Sequence, residues 1–186
     1  IGKAIARRFA EEGAAVLLAD IDDAAGGELA GLIRSGGGRA EFHRTDVTSN
    51  AEVAGAVEAA SRWTGRIDVL CNNAAYLGEF HAILEADDEE WNRCLQVQLL
   101  GANRCTKAVL PFMLEQGGGS IVNVVSIQAM VGCPTSVAYT CAKAALLGFT
   151  LSAAYDYGKH NVRVNSLCPG PIQTRISPAP GDAAYE

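Results

Sequence analysis

No stretch of about 18 consecutive apolar residues occurs in the 186-residue sequence, so nothing in it reads as a membrane span. Cations are scarce. Fifteen lysines and arginines against 21 aspartates and glutamates leave a net charge of −6 and a pI near 5.1, which is no footprint for nucleic acid. Histidine is scarcer: His43, His81 and His160 stand far apart with no partner at metal-ligand spacing, so no metal is expected. The six cysteines, Cys71, Cys94, Cys105, Cys133, Cys141 and Cys168, contain no C-x-x-C pair and follow no signal peptide. They read as reduced, mostly buried small hydrophobes of a cytosolic protein. No linker or repeat interrupts the chain, so residues 1–186 are expected to form a single domain. What is present is 49% hydrophobic residues with mixed charge, a globular composition whose default partner is a small molecule.

Hydrophobic periodicity gives the order of elements. Residues 1–12 are apolar at positions 1, 5, 6, 9 and 10, a helical period. Residues 15–19 form a continuous apolar run ending in Asp20, as in a strand buried on both faces of a parallel sheet. A helix is expected over residues 23–35, closed by three glycines, and a strand over 40–44 that ends at Thr45-Asp46-Val47-Thr48. The next helix runs from about residue 50 to 64, and the strand at 67–71 delivers Asn72-Asn73-Ala74-Ala75. Residues 87–115 read as a long helical region with Trp91, Leu95, Leu99 and Leu100 on one face, broken or bent near Gly101. A strand at 120–125, a helix at 138–157 and a strand at 162–168 complete the pattern. Alternating strands and helices predict an α/β fold, a Rossmann-like, doubly wound parallel sheet with right-handed crossovers.

The chemistry concentrates after the strand at 120–125. Ser126 stands at its C-terminal end, and Tyr139 and Lys143, four apart, share one helix face. A neighbouring ammonium favours the phenolate and lowers a tyrosine's pKa from near 10, which suits Tyr139 to general acid–base work. Ser126 is placed to hydrogen-bond a substrate oxygen whose charge changes in the reaction. A Tyr-x-x-x-Lys spacing arises by chance in roughly one such chain in ten. Tyr155 and Lys159 repeat it at a helix end, where Lys159 reads as a solvated, dipole-compensating cation.

In order along the chain, Asn72-Asn73-Ala74-Ala75, Ser126, Tyr139, Lys143 and Pro169-Gly170-Pro171-Ile172-Gln173-Thr174 resemble the short-chain dehydrogenase/reductase family. The resemblance covers essentially the whole chain and leaves the substrate open. It implies a hydride transfer between NAD(H) and an alcohol or ketone. Tyr139 would move the proton, Lys143 would lower its pKa and hold the nicotinamide ribose, and Ser126 would position the substrate oxygen. The family's fourth active-site residue is normally asparagine; Gln98 stands at that position and would hold the same water or backbone group only with some rearrangement. Glycine is usual where Ala75 stands. For the cofactor the resemblance names Gly2 as the last glycine of a phosphate-binding turn, Asp46 and Val47 around the adenine, Asn72 and Ala74 at a strand end, and Pro169, Ile172 and Thr174 by the nicotinamide. Asp20, eighteen residues after Gly2, would accept from the adenosine ribose and repel a 2′-phosphate, favouring NAD over NADP. The plain alternative makes Asp20 or Asp22, and likewise Asp46, the cap of a following helix.

The resemblance also implies a strand and Gly-rich turn before Ile1 and a helix and strand after Glu186, so the chain is expected to be a fragment, incomplete at both ends. The absent first strand would be central, leaving neighbours without a pairing partner, a poorly stable chain and weak cofactor binding. The family's members are often tetramers or dimers, so the intact protein is expected to be a homo-oligomer. Two other readings remain open: a cofactor-binding protein without turnover, and an isomerase or lyase on the same scaffold.

Overall fold

The computed structural model describes residues 1–174; the polar stretch 177–186, expected as a substrate loop or a frayed end, lies outside the described residues. The chain opens with α1 (Gly2–Glu11), β1 (Ala15–Asp20), α2 (Asp23–Ser35), β2 (Arg39–Arg44), α3 (Asn50–Thr64) and β3 (Val69–Asn72). There follow α4 (Asp88–Cys94), a π-turn (Leu95–Leu100), α5 (Gly101–Glu115) and β4 (Gly119–Val124). A 3₁₀ turn (Ile127–Ala129), α6 (Val137–Tyr157) and β5 (Val162–Leu167) complete it.

Local chemistry sets the helix ends. Asp22 caps α2 by accepting from Ala25 N at 2.9 Å, Ser49 caps α3 through Glu52 N, and Asp87 caps α4 through Glu90 N at 2.8 Å. Gly65, at φ +75°, ends α3 in the left-handed conformation that glycine adopts without strain.

All strand pairs are parallel, with β1 beside β2 and β4 between β3 and β5. The described strands form two sheets, because none of them pairs with the second edge of β1 or of β3. Helices lie on both faces of the first sheet. Val16 and Leu18 of β1 and Ala40 and Phe42 of β2 pack with Ala6, Ala10, Ala30 and Ile33 of α1 and α2. His43, of opposite parity on β2, lies beside Gly55 of α3. Around the second sheet, Val109, Leu110 and Met113 of α5 and Ala153 of α6 close on Ile121, Val162 and Val164. Met113 and Ile121 have no exposed surface, and burial of each contributes about 1.5–3 kcal/mol.

The helical region at 87–115 changes at a π-turn just before Gly101, and up to that point its buried residues are Glu90, Cys94 and Gln98, with Trp91, Leu95, Leu99 and Leu100 half-buried. Two sequence expectations need correction. Only Cys94 among the cysteines is buried, while Cys133 and Cys141 are exposed; all six are free. Finally, α6 does have the length and hydropathy to cross a bilayer. Its buried face carries Lys143 and Thr150 among Ala138, Ala142, Leu146 and Ala153, so it is a core helix of the α/β fold.

Candidate active site

The C-terminal ends of β4 and β5 and the first turns of α6 bring Ser126, Tyr139 and Lys143 together. Ser126 follows β4 in extended backbone, pinned on both sides: Val125 N donates to Leu167 O at 2.8 Å and Ile127 N to Pro169 O at 3.0 Å. Its hydroxyl is near enough to the Tyr139 phenol to favour the phenolate. Tyr139, like Tyr76, Trp91 and Leu95, packs against the buried cluster of Cys94, Ala138 and Ala142. One helical turn on, Lys143 is 2% exposed; its Nζ donates to Val124 O at 2.7 Å and lies 5.5 Å from the Tyr139 ring centroid.

The electrostatics differ from the expectation. Burial raises the Tyr139 phenol above its ordinary value, and the force opposing it is the Ser126 hydroxyl, not the Lys143 charge. The ammonium lies 5.5 Å from the ring centroid, and its short bond goes to a backbone carbonyl. Burial also pushes Lys143 itself down to about 8, with Cys168 opposing. The second Tyr/Lys pair is a surface feature, with Tyr155 89% exposed and Lys159 in the exposed turn after α6.

Gln98, 1% exposed, reaches from the π-turn to accept from Tyr76 N at 3.1 Å through Oε1. Its Nε2 is buried and has no partner among the described residues. The carbonyl end is thus committed to the loop after β3. Asn72 is part of a network through the sheet: Nδ2 donates to Asn123 Oδ1 at 2.8 Å, and Asn123 Nδ2 donates to Thr150 Oγ1 at 2.9 Å. That network joins β3, β4 and α6, and makes Asn72 a buried tie as well as a strand-end residue.

At the other sheet, Asp20 ends β1, is exposed, and accepts from Asp22 N at 3.0 Å. The α2 cap is Asp22, not Asp20. Nor does Asp46 cap α3: its Oδ1 accepts from Thr48 N and Thr48 Oγ1, both at 2.8 Å, and these bonds hold its carboxyl below the usual range. Val47 packs on Gly101, where a Cβ would lie 2.8 Å from Val47 Cγ2, and Val47 O accepts from Arg104. Gly2 abuts the strand end after β3, where a Cβ would lie 2.7 Å from Asn73 Nδ2. Ala74 is exposed, Pro169 is half-buried and Ile172 is 49% exposed, with Thr174 at the end of the described chain.

Sequence reasoning missed Glu90. This carboxylate, 6% exposed, accepts from Glu79 N at 3.0 Å and pairs with His81 Nδ1 at 2.9 Å, organising the loop that leaves Asn73. Its only sequence signal is the position three residues after the capping Asp87, which reads as a solvated first turn.

The sequence matches the family described as "Enoyl-(Acyl carrier protein) reductase" over residues 1–185. It is 38% identical over 172 residues to "2-(S)-hydroxypropyl-CoM dehydrogenase 3" of Xanthobacter autotrophicus, covering 92% of this chain and 67% of that one. The fold superposes on an NAD+-bound xylitol dehydrogenase with a TM-score of 0.88 at 37% identity, covering 91% of this chain and 65% of that one. A variant actinorhodin polyketide ketoreductase with NADPH gives a TM-score of 0.90 at 32% identity, covering 94% and 67%. The chain thus spans about two thirds of the length of these proteins.

Proposed function

Because the chain belongs to the short-chain dehydrogenase/reductase family, whose matched relatives are oxidoreductases, we propose that it serves an NAD(H)-dependent alcohol dehydrogenase or ketone reductase. The observation that carries this reading is that Ser126 acts on the Tyr139 phenol while Lys143 lies buried one turn away, its Nζ 5.5 Å from the phenol ring centroid. Tyr139 takes the hydroxyl proton of an alcohol, or returns it to a ketone. Ser126 donates to the same oxygen and stabilises its negative charge. Lys143, fixed by Val124 O, supplies the nearby positive charge and a donor for the nicotinamide ribose.

A dinucleotide would supply the hydride acceptor or donor. The residues present fit one: Gly2 leaves no room for a side chain against Asn73, and the Asp20 carboxylate is exposed at the end of β1. Asp20 would accept from the adenosine ribose and disfavour a 2′-phosphate, which is the basis for NAD over NADP. Asp46 and Val47 would border the adenine; Asn72, Ala74, Pro169, Ile172 and Thr174 would border the nicotinamide half. In this reading residues 1–186 are one nucleotide-binding domain acting on a small alcohol or ketone, within a dimer or tetramer, and the free thiols suit the cytoplasm.

Isothermal titration of NAD and NADP tests the cofactor assignment. NAD is expected to bind more tightly, and Asp20→Ser to narrow the gap about tenfold, or about 1.4 kcal/mol. Equal affinities in the unaltered chain would overturn the role of Asp20.

A further inference from the structure

We propose that Gln128 is a positioning residue that locks the serine-bearing turn to the first turn of the tyrosine helix, and so sets the Ser126–Tyr139 contact. This rests on the catalytic reading of those two residues but draws on different observations.

The turn after β4 and the start of α6 are joined by residues 131–135, all exposed. An exposed connector of that kind does not by itself hold two catalytic groups in register. Gln128 bridges it. Its backbone N donates to Ser126 Oγ at 3.2 Å. Its side-chain Oε1 accepts from Ser136 Oγ at 3.1 Å and from Thr140 Oγ1 at 3.2 Å. Ser136 and Thr140 are the first and last residues of the helical turn that contains Tyr139, and Thr140 N donates to Ser136 O at 2.9 Å. One side chain therefore ties the Ser126 turn to both ends of the turn that carries the phenol.

Two local features show that this joint overrides ordinary preferences. Ser136 occupies the cap position of α6, where serine normally accepts from a helix N–H, yet it makes no capping bond and its hydroxyl goes to Gln128 instead. Thr135, just before it, is at φ +49°, a region that a β-branched residue rarely adopts unless its surroundings impose it. A forgone cap beside a strained threonine marks a segment held from outside. Gln128, half-buried, is the side chain that holds it.

The contact it fixes has a specific consequence. The Ser126 hydroxyl is what opposes the upward push of burial on the Tyr139 phenol, with Cys94 acting in the same direction as burial. Loosening the joint weakens that opposition first.

The test uses two variants that break the tie from opposite sides: Gln128→Met, of similar length without the acceptor, and the double variant Ser136→Ala/Thr140→Val, without the donors. Each chain is labelled with 3-fluorotyrosine, the Tyr139 resonance is assigned with Tyr139→Phe, and its titration is followed by ¹⁹F NMR. Both variants are expected to titrate at higher pH than the parent, in the direction of Ser126→Ala, and the triple variant to add nothing. In turnover, kcat is expected to fall on the order of a hundredfold with KM within about twofold. A parent-like titration in Gln128→Met, additive effects in the triple variant, or a rise in KM alone would each overturn the proposal; the last would make Gln128 a substrate contact. Unchanged turnover in Tyr139→Phe would instead overturn the catalytic reading, and the titration still decides the role of Gln128.

Discussion

Polar groups around β1 and β2 are satisfied by near neighbours in the chain, whereas those around β3, β4 and β5 are satisfied by residues far away. Asp20 accepts from Asp22, and Asp46 from Thr48, each two residues on; Asp20 is exposed and Asp46 half-buried. Asn72 reaches Asn123, 51 residues away, and Asn123 reaches Thr150, 27 away; Lys143 meets Val124 O, 19 away. The first half keeps its functional groups at the surface, open to a ligand and cheap to alter. The second half has buried its groups before any ligand arrives, so each is tied to the stability of the fold as well as to chemistry.

That contrast is sharpened most by Tyr139→Phe. It removes one hydroxyl from a half-buried ring, so kcat is expected to fall on the order of a thousandfold while NAD affinity in titration calorimetry stays within about twofold. Turnover that survives the change would dissolve the distinction between the two halves.

Next comes Lys143→Met, read against pH. The native pKa of Lys143, about 8, lies below its ordinary 10.5, so between these values the unfolded chain binds more protons. Stability contributed at this site therefore rises with pH through that window, and the penalty for burying the charge is fully present below about pH 8. Relative to Lys143→Met, the unaltered protein is expected to gain about 3 kcal/mol from pH 8 to 10.5, measured by urea unfolding. A difference that is flat with pH would mean that Lys143 is hydrated in the native state.

The smallest effects give the most direct comparison. Asn123→Ala leaves donors and acceptors of Asn72 and Thr150 stranded inside the protein and is expected to cost about 2 kcal/mol; Asp46→Ala, losing short-range bonds near the surface, about 0.5–1. Equal costs, from urea midpoints, would break the contrast.

The same contrast explains what was legible in the sequence. Helix ends were readable because their determinants are adjacent: Asp22 before α2 and the glycines after it. Ser126, Tyr139 and Lys143 were readable because one strand end and one helix turn carry all three. That Glu90, Cys94 and Gln98 share one buried stripe was not. Polar residues four apart look like a solvated face, and what buries them is their contact with α6 and the loop after Asn73, which no local pattern encodes. The raised Tyr139 phenol was missed for a related reason: the spacing gave the neighbour, but not the burial that outweighs it.

The π-turn at Leu95–Leu100 acts as a phase shifter between the two halves of one long rod. Each residue turns an α-helix by about 100°, and a stretch of wider turns resets which side the following residues present. Upstream of it the rod contacts α6; downstream it contacts α3, β3 and β4. Its residue count is therefore tied to its winding. Rewinding the same six residues as ordinary α-helix would swing either Gln98 off Tyr76 or Val109 and Met113 out of the core, whichever flank gives way, whereas deleting one of them would let an ordinary helix keep both flanks in place.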